Sequence, residues 1–126
     1  MTKKLIIKKA IAEVIQRSTG FFNSGHCREG CRVLNYHSTP ESFDAGDSFQ
    51  MSAPKDVFLA QMQYLYENKY SVISSEELVE KILKREAIAP KTVAITFDDG
   101  FKNNRTVAFP ILQKFSFKAT IFLATD

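Results

Sequence analysis

The sequence predicts an α/β fold of about four parallel strands with intervening helices, preceded by a basic amphipathic helix. Three observations predict it. Short apolar runs at 32–37, 70–73, 92–97 and 118–124 alternate with segments whose apolar residues recur at helical spacing. That alternation implies parallel strands joined by right-handed crossovers. The run Val93-Ala94-Ile95 leads straight into Thr96-Phe97-Asp98-Asp99-Gly100, so two adjacent carboxylates emerge where a buried strand stops. Finally, His37, Asp98-Asp99 and Thr125-Asp126 all fall at the carboxyl ends of expected strands. Ligand sites of such folds collect on that rim.

The elements follow in order. Residues 3–18 place Ile7, Ile11, Val14, Ile15 and Ser18 on one helical face, with Lys4, Lys8 and Arg17 elsewhere on the wheel, and Gly20 ends the helix. Such a helix packs on its own domain or lies on anionic lipid, and its amphipathicity suits both. It forms a first unit, residues 1–31, with the connector that follows. The second unit, 32–126, opens with Arg32 to His37 as a short buried strand. A loop runs from Ser38 to Ser52. Ser52 is placed to cap a helix with Pro54 in its first turn. That helix runs to about Asn68, its apolar face made by Val57, Phe58, Met62, Leu65 and Tyr66. Tyr70 to Ile73 is the second strand. Ser74 or Ser75 caps the next helix, Glu76-Glu77 suit its positive end, and Leu78, Val79, Ile82 and Leu83 are its expected core face. Ala87 to Lys91 connects to the third strand, Thr92 to Phe97. A helix from about Asn104 to Phe115 is kinked or split by Pro110. Lys118 to Ala124 is the fourth strand.

Composition narrows the class. The chain has 126 residues, 44% hydrophobic and 25% charged, which suits one globular domain or part of one. Residues 1–32 hold seven Lys or Arg against two Glu, a balance of +5, so the remainder carries −2 of the net +3. No long basic run is interleaved with aromatics, so nucleic acid is not an expected partner. No apolar stretch approaches the roughly 20 residues of a membrane span. Lys8-Lys9 interrupts Leu5-Ile6-Ile7 before a signal-peptide core forms. The expected compartment is the cytoplasm, with weak contact of the first helix to a membrane surface. Cys27 and Cys31 follow His26, three ligands where a structural zinc site takes four, so the thiols read as reduced residues of a connector.

The chemistry centres on Asp98 and Asp99. Side chains alternate along a strand, so neighbouring carboxylates at its end diverge and take different tasks. Gly100 lets the backbone turn sharply behind them. Three readings are open: a solvated Asp-Asp-Gly turn, a phosphoacceptor site, or a hydrolytic metal site with Asp99 as ligand and Asp98 as base for an activated water. The phosphoacceptor reading needs further acids after an earlier strand, and none lie near His37. His37 itself is either a satisfied polar group at a strand end or part of the site.

Several segments together resemble a known family. Thr96 to Phe101, then Asn103-Asn104, Ala108 to Leu112 and Lys118 to Leu123, look like the first half of the NodB-homology polysaccharide deacetylases, carbohydrate esterase family four. Leu34-Asn35-Tyr36-His37-Ser38 resembles the Tyr-His segment on the first strand of many members. Phe58, Gln61-Met62, Leu65, Tyr70 to Ile73 and Glu77-Leu78 resemble the elements between. The resemblance covers about residues 32–126. It implies the N-terminal half of a deformed (β/α) barrel and a metal-dependent hydrolase of N-acetylated sugars, acting on carbon–nitrogen bonds other than peptide bonds. Asp98 then matches the general base, Asp99 the metal ligand, and His37 a substrate- or site-lining residue. The implied cofactor is a divalent metal, zinc in the first instance, which polarises the acetamide carbonyl and activates a water. The implied substrate is an N-acetylated glycan.

The family completes its metal site with a His-Ser/Thr-x-x-His segment, and this sequence contains none. The chain therefore reads as a truncated N-terminal portion, completed by a complementing C-terminal chain. The alternative is a non-catalytic remnant or a carbohydrate-binding half-domain. Four strands of an incomplete barrel are also expected to leave Phe97, Ile121 and Leu123 short of cover.

Overall fold

The computed structural model describes residues 30–42 and 52–125. In chain order these form β1 (Arg32–Tyr36), α1 (Lys55–Glu67), β2 (Ser71–Ile73), α2 (Ser75–Leu83), β3 (Thr92–Phe97), a π-helical turn (Asn104–Ala108) running on into α3 (Phe109–Lys114), and β4 (Thr120–Ile121). The expected basic helix, His26, Cys27 and Asp126 lie outside the described residues.

All strand pairing among the described residues is parallel and centred on β3. β1 runs along one edge of β3 for its whole length, Arg32 beside Val93 through Tyr36 beside Phe97. A strand has only two edges, so β2 and β4 divide the other. β2 takes Thr92 to Ala94, and β4 takes Thr96 and Phe97. Where they meet, the Ser75 N–H donates to Thr120 Oγ1 at 3.2 Å.

Every residue of β3 is buried. Its alternation separates two faces. Val93, Ile95 and Phe97 join the core with Phe58, Met62 and Leu65 of α1, Val107 and Ala108 of the π turn, and Ile111 and Leu112 of α3. The opposite face carries Thr92, Ala94 and Thr96, all small and two of them polar. Phe97 is 1% exposed. The expectation that it lacks cover fails because Tyr36 and Phe58 close over it, with ring centroids 5.5 and 5.8 Å away.

Several other expectations are corrected. Among the described strands β1 lies at a sheet edge, and its Val33, registered with Ala94 on the face away from the core, is 53% exposed. Ser52 does not cap α1: it forms a bridge with Ser38, and Pro54 precedes the first helical residue. Tyr66 faces solvent, and Leu59 and Tyr64 reach the core instead. No residue of α2 is buried: it packs beside β3 with Leu78 half-buried, and Val79, Ile82 and Leu83 are left exposed, Leu83 by 78%. β4 has two residues where seven were expected; Ile121 and Leu123 are exposed, as expected. The expected division of the helix at Pro110 is found: a π-helical piece, Asn104–Ala108, gives way to α3 just before it. A proline removes one helical donor and crowds the carbonyl four residues back. Here the preceding turn widens: the Phe109 N–H donates to Asn104 O, five residues away, and Pro110 enters at the start of α3.

Other elements stand as expected. β3 has the expected bounds, and Ser74 caps α2. Its Oγ accepts from the Glu77 N–H at 3.1 Å, while Glu77 Oε2 accepts from the Ser74 N–H at 2.9 Å. This reciprocal pair satisfies two backbone donors that a helix start leaves open.

Candidate active site

The site forms where β1 and β3 end side by side. In a parallel pair, registered residues project to the same side, so Asn35 lies beside Thr96. Asp98, two residues on, keeps to that face. Thr96 Oγ1 donates to Asn35 Oδ1 at 2.8 Å, and Asn35 Nδ2 donates to Asp98 Oδ2 at 2.8 Å. The Asp98 N–H donates to Tyr36 O at 2.9 Å, continuing the β1–β3 ladder past the strand end. His37 follows directly, with Nε2 3.7 Å from Asp98 Oδ2 and both side chains partly exposed. The rim expected from the sequence therefore brings together His37 and Asp98.

Tyr36 projects to the other side. Its ring packs edge-on against Phe58 at 5.0 Å and stacks on Phe97, and its hydroxyl donates to Gln61 Oε1 at 2.8 Å. Burial pushes the phenol far above its ordinary range, so it stays a neutral donor. Tyr36 thus fixes β1 against α1, and with it the residues on either side.

Asp99 is exposed and does not share the Asp98 face. Its φ is +68°, and Gly100 follows at +67°. Aspartate tolerates the left-handed region better than most residues. A Cβ on Gly100 would meet the Leu123 Cδ2 tip at 2.6 Å, so the segment after β4 lies against this turn. The Asp-Asp-Gly turn therefore splits the two acids, Asp98 held inward and Asp99 presented to solvent.

A second clasp ties the His37 loop to the segment after the turn. Asn103 Oδ1 accepts from the Thr39 N–H at 3.1 Å, Asn103 Nδ2 donates to Ser38 Oγ at 2.8 Å, and Thr39 Oγ1 donates to Asn103 O at 3.2 Å. Neither Asn35 nor Asn103 stood out in the sequence as a site residue. Their importance depends on register between strands distant in sequence, and no local pattern encodes that.

A divalent metal was tested against these side chains. A catalytic zinc takes three protein ligands. Among the described residues no three His, Cys, Asp or Glu side chains come together to hold one. The described residues thus offer Asp99 as one exposed carboxylate and not a complete ligand set. Cys31 is remote from this chemistry: burial pushes its thiol up, away from the thiolate a metal needs. Thr125 is exposed beyond β4.

A family model described as polysaccharide deacetylase matches residues 85–126. The chain is 36% identical over 91 residues to YxkH of Bacillus subtilis, which bears a polysaccharide deacetylase name. It carries part of a polysaccharide deacetylase domain. The poly-beta-1,6-N-acetyl-D-glucosamine N-deacetylase of Escherichia coli is 31% identical over 90 residues. The matches take 72% and 71% of this chain but only 30% and 13% of those two relatives, so the chain spans less than a third of either. Among solved structures, the Streptococcus pyogenes deacetylase PplD in complex with acetate aligns with a TM-score of 0.63 and 30% identity, over 72% of this chain and 41% of that one. IcaB from Ammonifex degensii aligns with a TM-score of 0.65 and 26% identity, over 75% and 38%. The alternating parallel strands and helices of this deacetylase portion align with those solved structures as part of a deformed (β/α) barrel, in which β1 pairs with β3 and not with β2.

Proposed function

We propose that residues 32–126 are part of a hydrolase that removes N-acetyl groups from amino sugars of a glycan. The observation that carries the reading is the pairing of Asp98 with His37 at the carboxyl end of the fully buried central strand, with Asp99 turned outward beside them. In this reading Asp98 takes the proton from the water that attacks the acetamide, as a base within hydrogen-bond reach. His37 lines the sugar. Asp99 contributes one carboxylate to a divalent-cation site, whose other ligands come from outside the described residues or from a complementing chain. No described helix is long and apolar enough to cross a membrane. A cytoplasmic location, with peripheral contact through residues 3–18, belongs to the same proposal.

The test is acetate release from an N-acetylglucosamine oligomer with zinc present, comparing the full chain with Asp98→Asn and Asp99→Asn. Asparagine at position 99 keeps the left-handed backbone, whereas Asp99→Ala would add strain of its own. Release above blank that both variants abolish is the expected result. The shortfall of metal ligands among the described residues favours a second reading, a non-catalytic half-domain that binds the glycan. Oligomer binding without acetate, unchanged in both variants, would establish that reading and end the first.

A further inference from the structure

We infer that Asn35 is a positioning residue for Asp98 and that Asp98 exchanges its proton through Oδ1. The inference rests on the deacetylase reading, in which Asp98 is the base. Asn35 Nδ2 donates to Asp98 Oδ2 at 2.8 Å. That orientation turns Asn35 Oδ1 toward Thr96. Thr96 Oγ1, 2.8 Å away, then has to donate its proton. The three-membered chain has one polarity from end to end, donating from Thr96 through Asn35 to Asp98.

Its anchor is firm. Thr96 is 5% exposed and lies in the strand that every other described strand pairs with. Tyr36 O accepts from the Asp98 N–H at 2.9 Å, so consecutive residues of β1 hold Asp98 by side chain and by main chain. His37 Nε2 approaches the same oxygen, Oδ2. Oδ1 is the oxygen not engaged by these groups, and we assign it the exchange with the attacking water. A base works only when held close to productive geometry, and hydrogen bonds from the surrounding shell supply that hold. Asn35 meets neither water nor sugar in this arrangement; it acts through Asp98.

The full chain is compared with Asn35→Leu, Thr96→Val and Asp98→Ala. Acetate release from an N-acetylglucosamine oligomer with zinc is measured alongside side-chain amide NMR of Asn35. Loss of a hydrogen bond to a charged group is expected to lower kcat roughly ten- to a hundredfold in Asn35→Leu, with KM unchanged. Thr96→Val, which frees the amide to rotate, is expected to lower kcat less. Full activity in Asp98→Ala would end the deacetylase reading itself. Loss of activity in Asp98→Ala with wild-type kcat in Asn35→Leu would overturn the positioning role alone. The spectra decide independently of turnover: the Asn35 Nδ2 proton pair is expected to shift in both Asp98→Ala and Thr96→Val. An unmoved pair would overturn the inference even in a chain that releases no acetate.

Discussion

Asn104 is 3% exposed, and neither its Nδ2 nor its Oδ1 meets a hydrogen-bond partner among the described residues. A buried amide in that position carries its desolvation cost uncompensated. Leucine is similar in size and has nothing to desolvate. Asn104→Leu is therefore expected to raise stability by about 1–3 kcal/mol, read as a higher urea midpoint with unchanged slope. A lower midpoint would mean that the amide has a partner after all. The residue sits at the start of the π-helical turn, a widened geometry that recurs near functional sites. Single residues were unevenly legible in the sequence. Asp98, Asp99 and His37 stood out because acids and a histidine at strand ends are chemically conspicuous. Asn35 did not, because what distinguishes it is the partner that β1–β3 register provides.

At the scale of elements, α2 shows both what local pattern encodes and what it omits. Its start was readable: Ser74 and Glu77 stand three apart, and the capping pair follows from chemistry within one turn. Its expected core face was not readable, since periodicity marks an apolar stripe without saying whether anything lies on it. β3 is the contrary case, because the run Val93-Ala94-Ile95, flanked only by threonines and Phe97, points to burial on both faces. Glu77 also joins α2 to the chain before β4 through Lys118, whose Nζ is 2.9 Å from Oε2. The Ser74 N–H bond, followed by Lys118, holds the Glu77 carboxyl down at about 2 from an ordinary 4.5. A depressed carboxyl stabilises the fold above its unfolded value and loses that contribution as pH falls through its folded one. Glu77→Gln keeps an acceptor for the cap and removes the charge. The variant is expected to be less stable than the parent above pH 4.5, with the gap closing as pH falls toward 2. Urea midpoints across that range measure it, and a gap independent of pH would refute the electrostatic part.

For the molecule as a whole, the consequence lies in what the described fold leaves uncovered. Among the described residues, exposed apolar side chains cluster in two runs: Val79, Ile82 and Leu83 along α2, and Ile121, Phe122 and Leu123 through and beyond β4. Isolated exposed apolar residues are common, but runs of them on one element mark contact surfaces. The second run also borders a sheet edge, since β4 pairs only with β3 among the described strands. Unpaired edge groups beside apolar side chains invite another strand. Both runs lie away from the Val93-Ile95-Phe97 core, so placing charge there does not open it. The chain is therefore expected to self-associate as its concentration rises. Leu83→Lys with Leu123→Lys should shift sedimentation toward the monomer without lowering the urea midpoint, because both side chains are at least 70% exposed and contribute little to the core. Leu123 adds a sharper control. Its tip stands where a Gly100 Cβ would come, so a change in the Asp98–Asp99 turn would appear in the side-chain spectra of Asn35. Monomer formation with those signals unmoved would locate the association on the apolar runs and leave the carboxylate rim free for a glycan.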